Sequence, residues 1–316
     1  MLSRIAESLF WIGRYIERTE NMARYADVQY YTTMDIPIPG RKQMVMESIL
    51  SMYDCEEEYF QRYTTLSEKK LFYFAALDQS NPMSMFSAVA FARENARGIR
   101  ESVSIELWEN LNKFYHSVKD YSPENFQKKG IHELTKHVIE YCSLLHGFID
   151  NSLPHGITWS FLKIGIHLER TTQICRMFMT KLEDIRKIRE AGMGEVIERL
   201  MLRNLLQSNS ALDLSRRTYK WMLDMDNVLD IMILHQEFPR SLCFNLLQLR
   251  HHLFQLAGTN SPRRGTVEFD AGRLASYARY LNIEDMQQMH LYDFLFEMLD
   301  KTQALGTKLE QTYFEH

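Results

Sequence analysis

Apolar residues recur along this chain at helical spacing. In the first segment Ile5, Leu9, Ile12, Ile16 and Ala23 follow one another at intervals of three, four and seven, which places them on one face of an α-helix. Strand-like alternation bounded by turns is absent, as are the Asn-Gly and Asp-Gly signals of hairpins. The seven prolines sit at boundaries, none inside a periodic run: Pro37 and Pro39 with Gly40, then Pro82, Pro123, Pro154, Pro239 and Pro262. Ser80-Asn81-Pro82 has the capping residue and early proline of a helix start, and Ser122-Pro123-Glu124 is similar. The pattern predicts long helices over 3–33, 41–61, 82–118, 123–147, 154–190 and 284–312, with shorter ones over 65–78, 194–219, 225–235, 239–256 and 266–280. The expected class is all-α, a large helical bundle.

The chain also resembles itself. LFWIGRYIERT over 9–19 matches FLKIGIHLERT over 161–171, with Ile, Gly, Glu, Arg and Thr identical at an offset of 152, and Arg24 then falls on Arg176. LDQSNPMS over 77–84 aligns with LHQEFPRS over 234–241 at an offset of 157, which sets Arg93 on Arg250. Between them, Met46–Leu50 resembles Leu202–Leu206 at an offset of 156, with Tyr63 on Tyr219. Three matches in one order at nearly constant offset point to a tandem duplication of a helical unit of roughly 150 residues. The expected repeats are 1–151 and 152–316, packed about a pseudo-two-fold axis as one compact domain.

The repeat carries the candidate chemistry. Gly13 and Gly165 fall in mid-helix, where glycine costs ~1 kcal/mol relative to alanine, so a close helix crossing is expected there. Gly13, Glu17, Asn21 and Arg24 share one helix face, and Gly165, Glu169, Gln173 and Arg176 repeat it. Charges on a closely packed face must be paired. Two readings follow. Either this is a structural Glu–Arg network, or it is a polar pocket with Glu17 and Glu169 as ligands or general acid/base groups. The helix from Pro82 adds Arg93, Asn95 and Arg97, able to hold a carboxylate or phosphate, with Arg97 in reach of Glu94 and Glu101. A solvated face of ion pairs is the alternative there.

Composition narrows the field. A net charge of −4 argues against a nucleic-acid partner. Four scattered cysteines without C-x-x-C spacing fit a reduced cytoplasm. Arg4, Glu7, Arg14 and Glu17 interrupt the apolar residues at the N-terminus, unlike a signal peptide, and no run of 18 apolar residues suggests a membrane span. Histidine spacing shows no metal motif, and there is no phosphate loop or nucleophile elbow, so no metal or cofactor is expected.

The opening MLSRIAESLFWIGRYIERTENMARYADV, with ARENARGIRESVSIELWENLN, HGITWSFLKIGIHLERTTQICRM and EFPRSL, closely resembles the Alpha-E family of bacterial helical proteins, over nearly the whole chain. Ile166 departs from it, standing where a polar or basic residue is expected. The resemblance implies no assigned reaction. It does imply association with circularly permuted ATP-grasp proteins and transglutaminase-like peptidases, a setting for making or modifying a peptide-like molecule. Within it, Glu17 or Glu169 would transfer protons, and Arg18, Arg170, Arg93, Arg97 and Arg240 would hold substrate in a cleft between the halves. The alternative is a non-enzymatic scaffold that docks an ATP-grasp partner, its Glu–Arg pairs purely structural.

Overall fold

A computed structural model describes residues 2–35, 41–121, 123–220 and 222–315. The expected break at Pro37, Pro39 and Gly40, and Ser122 ahead of Pro123, lie outside them. Among the described residues all regular structure is helical, with no strand. They form two compact units, one of residues 11–159 and one of residues 1–10 with 160–316.

The helix α1, Ser3–Asp35, opens the chain and gives its first turns to the second unit. In the first unit it is followed by α2 (Arg41–Tyr53), α3 (Glu56–Arg62), α4 (Glu68–Ala76), α5 (Met85–Gly98), α6 (Ile105–Lys119) and α7 (Pro123–Asn151). The seam of α7 shows why this segment folds as it does. Ile131, Leu134, Val138, Cys142, Leu145 and Ile149 recur every three or four residues and all are buried. They join a core with Ile16 and Met22 of α1, Ile49 of α2, Phe74 of α4 and Phe114 of α6. Buried hydroxyls find partners: Tyr25 Oη lies 2.6 Å from Ser48 Oγ, and Tyr53 donates to the Met22 carbonyl at 2.6 Å.

The second unit continues with α8 (Ile157–Glu190), α9 (Glu195–Ser208), α10 (Leu212–Tyr219) and α11 (Met225–Leu229), which runs into a π turn over Asp230–Leu234. Then come α12 (Leu242–Ala257), α13 (Val267–Tyr280), α14 (Ile283–Gln288) and α15 (Leu291–Tyr313). Leu162, Phe178, Leu205, Leu246, Ala275 and Leu295 are among its core residues, and Phe10, Phe161 and Phe314 cluster at 5.3–6.0 Å between ring centres.

Several expected helices are two. The segment 82–118 breaks after Gly98: Ile99 leaves helical geometry, Arg100–Ser102 form a 3₁₀ turn, and Ser104 caps α6 by accepting from Leu107 N. The segment 41–61 breaks at Asp54 and 194–219 at Ser210, both with φ of 54°. Each break is closed by the same bond, from Cys55 N to Leu50 O at 3.2 Å and from Ala211 N to Leu206 O at 2.8 Å. This six-residue C-terminal closure needs a left-handed residue, and Asp54 and Ser210 supply it without the usual glycine. Within α7, Gly130 sits at φ 76°, ψ −176°, a kink open only to glycine. The last expected helix, 284–312, divides at Met289 and His290, and α14 ahead of that division is opened by a reciprocal cap of Asn282 and Asp285. Among the described residues no helix is long and apolar enough to cross a membrane.

Candidate functional site

In the first unit the Glu-Arg helix buries two carboxylates, not one. Glu17 is fully enclosed and Glu20 is 2% exposed. Asn21 Nδ2 donates to Glu17 Oε1 at 2.7 Å, the pairing expected of side chains one turn apart on a helix. Arg24, expected on the same helix face as Glu17, grips Glu20 Oε1 through Nε and a terminal nitrogen, each at 2.8 Å. The third side comes from α7. His146 follows Leu145 of the buried seam and brings Nε2 to 3.0 Å from Glu20 Oε2 and 3.4 Å from Glu17 Oε2. A fifth of the His146 side chain is exposed, so it links the enclosed carboxylates to solvent.

Two buried carboxylates are tolerable only against compensating charge. Arg24 sets a guanidinium against Glu20, and His146 reaches both carboxylates. Burial alone would depress the imidazole's pKa, but hydrogen bonds and charge from Glu17 and Glu20 outweigh it and hold the pKa above its ordinary value. The cluster therefore favours the protonated imidazole, with two acceptors in reach. Glu17, Glu20 and His146 also offer three ligand atoms within 4.8 Å of one another. A cation there would compete with the Arg24 guanidinium and require the imidazole to lose its proton, so the arrangement favours proton storage.

The second motif helix repeats part of this. Glu169 is fully buried, and Gln173 Nε2 donates to its Oε1 at 2.9 Å, as Asn21 does to Glu17. Arg170 donates to the Pro239 carbonyl at 3.1 Å, which sets it beside the turn carrying buried Arg240. His167 Nδ1 lies 2.8 Å from Asn245 Oδ1. The Asn245 amide donates to Pro239 O and Ser241 O, so its oxygen accepts and His167 carries its hydrogen on Nδ1. The enclosed Nε2 of His167 is then a bare acceptor without a partner. Burial, with the nearby charges of Arg170 and Lys163, pushes the His167 pKa well down and keeps the ring neutral. Gly13 and Gly165 are buried in mid-helix, Arg18 is half-buried with its guanidinium 5.6 Å from the Tyr15 ring centre, and Arg176 is half-buried on α8.

In the α5 group the charged side chains pair with one another and with α6. Arg93 turns to α6, donating to Asn112 Oδ1 at 2.8 Å and lying 4.6 Å from the Tyr115 ring centre. Arg93 and Arg97 both bond Glu94, at 2.6 and 2.8 Å, and Asn95 folds back onto the Phe91 carbonyl at 2.9 Å. The expected Arg97–Glu101 pair does not form among the described residues: Glu101 lies in the 3₁₀ turn past Gly98, off the helix that would have aligned it.

Glu20 and His146 escaped the reading from sequence. Glu20 could have been found three residues after Glu17 and four before Arg24. His146 lies 126 residues from Glu20, and no spacing points to it.

This is a class of all-helical protein built on long helices that bury the glutamate of a Glu-Arg pair. The chain belongs to the Alpha-E family, described as a predicted alpha-helical domain with a conserved ER motif, which it matches over residues 1–314. It is 24% identical over 277 residues to an uncharacterised protein of Mycobacterium bovis and to one of Mycobacterium tuberculosis, and 23% identical to another from a second M. tuberculosis strain. Each match covers 83% of this chain but 30% of the relative, so the chain spans under a third of the length of the curated relatives it matches. No solved structure matches the chain at a significant level.

Proposed function

We propose that this chain is the helical component of a peptide-ligating or peptide-modifying system, working beside an ATP-grasp ligase-like protein and a transglutaminase-like peptidase on a peptide-like ligand. The observation that carries it is the enclosed Glu17–His146 contact, with Glu20 as the second carboxylate. Glu17, enclosed behind His146, exchanges a proton with the ligand's reacting group through the imidazole, whose exposed edge meets the ligand. Glu169, held by Gln173 as Glu17 is by Asn21, is the corresponding group of the second motif helix. Arg18 in the first unit, and Arg170 with Arg240 in the second, are the groups that hold a ligand's carboxylates or phosphates, each in its own unit.

The partner classes rest on the motif resemblance. The length of the mycobacterial relatives supports an Alpha-E region that acts alongside other domains. Four buried free thiols fit the cytoplasm, where we place the protein. The chain is read as a tandem duplication, and the matching left-handed breaks at Asp54 and Ser210 support that origin.

The test is Glu17→Gln in the reconstituted system, with folding checked by circular dichroism. The expected result is a folded protein and a lost reaction. A variant that unfolds, or one that folds and sustains the reaction, would leave the charges as architecture and the chain as a scaffold docking its partner.

A further inference from the structure

A cleft in the second unit has no residue of the Glu-Arg helices in its lining. It encloses about 740 Å³ among α12, α13 and α15, a volume suited to a small organic ligand. Arg250, Arg273, Lys301 and Lys308 line it, against one acid, Asp270. Lys308 is paired with Asp270, and Lys301 reaches Glu297 at 2.5 Å. Arg250 and Arg273 have no carboxylate partner among the described residues.

The repeat makes Arg250 informative. At the offset of 157 its counterpart is Arg93, which is bonded to the adjacent Glu94. In the second unit the adjacent position is His251, and Arg250 lies 5.8 Å from the Phe254 ring centre. On the duplication reading, the matching position carries a guanidinium without the neighbouring carboxylate, where a cleft opens. Phe254 and Tyr277 add flat apolar surface to the lining, and both are part-exposed. Guanidiniums favour planar, two-oxygen acids, and ring faces favour a flat body beside them.

We propose that this cleft binds a small organic anion with a flat apolar part, its acidic group held by Arg250 and Arg273 and its body by Phe254 and Tyr277. The acid can be a phosphate or a carboxylate, since a guanidinium fork fits either. The site shares no residue with the proton-transfer cluster at Glu17 and stands without it.

The experiment is calorimetric titration of the full chain with three probes: adenosine monophosphate, the dipeptide glutamyl-phenylalanine, and inorganic phosphate. The nucleotide or the dipeptide binds at sub-millimolar concentration, and which one does so tells a phosphorylated from a carboxylated source. Inorganic phosphate, lacking the flat part, binds at least about ten-fold more weakly. Arg273→Gln, at an exposed position, leaves the melting temperature unchanged and weakens the organic probe about ten-fold or more, and Arg273→Lys recovers part of the loss. Arg250→Gln weakens it similarly. The proposal is overturned if neither organic probe binds at millimolar concentration, if phosphate alone binds as well as they do, or if both arginine variants bind unchanged.

Discussion

Replacing Glu17 tests whether the enclosed cluster works as a charge unit. Glu17 accepts from Asn21 at 2.7 Å and stands 3.4 Å from His146 Nε2, with no exposure to water. Glu17→Gln keeps an acceptor for Asn21 and removes one of the two carboxylates that hold the imidazole's proton. The loss of a charge-assisted contact in this setting is about 1–3 kcal/mol. Glu17→Ala removes the acceptor and opens a void as well, for about 3–5 kcal/mol. The pH dependence is the sharper measurement. Because the folded-state pKa of His146 is raised, its stabilisation is fully present below the ordinary imidazole value, and it is lost as pH rises through the folded pKa. Each unit of that elevation is worth about 1.4 kcal/mol. Urea unfolding of wild type and Glu17→Gln, run from about pH 5 to 9, should therefore give a stability gap that is widest at low pH and narrows as pH rises. A gap that is flat across this range, or that widens with rising pH, would refute the assignment of the stored proton to His146.

Two further outcomes follow from local structure. Burial raises the thiol pKa of Cys55 and Cys175 to about 12 and of Cys243 to about 11, so native protein should resist a thiol reagent at mildly alkaline pH and react after denaturation; rapid labelling of the folded chain counts against the packing around them. Lys220 ends α10 in the left-handed region at φ 48°, ψ 48°, and Lys220→Gly should stabilise by about 1 kcal/mol, read as a higher urea midpoint; an unchanged or lower midpoint would show that no strain resides there.

Sequence alone determined the helical class, because apolar spacing is a local property and each amphipathic segment declares its own period. It also placed Glu17 with Asn21 and Glu169 with Gln173, since side chains four apart on a helix meet whatever surrounds them. Helix breaks were less legible. Gly98 reads as an ordinary helical residue, and Asp54 and Ser210 take up left-handed geometry that their side chains do not announce. Only the tertiary structure decided what meets the carboxylates. His146 reaches Glu20 because α7 packs its seam into the same core as α1, and Arg93 meets Asn112 because α6 folds back beside α5. Contacts between distant segments depend on how helices pack, and a periodicity fixes the face a helix buries but not the neighbour it buries it against.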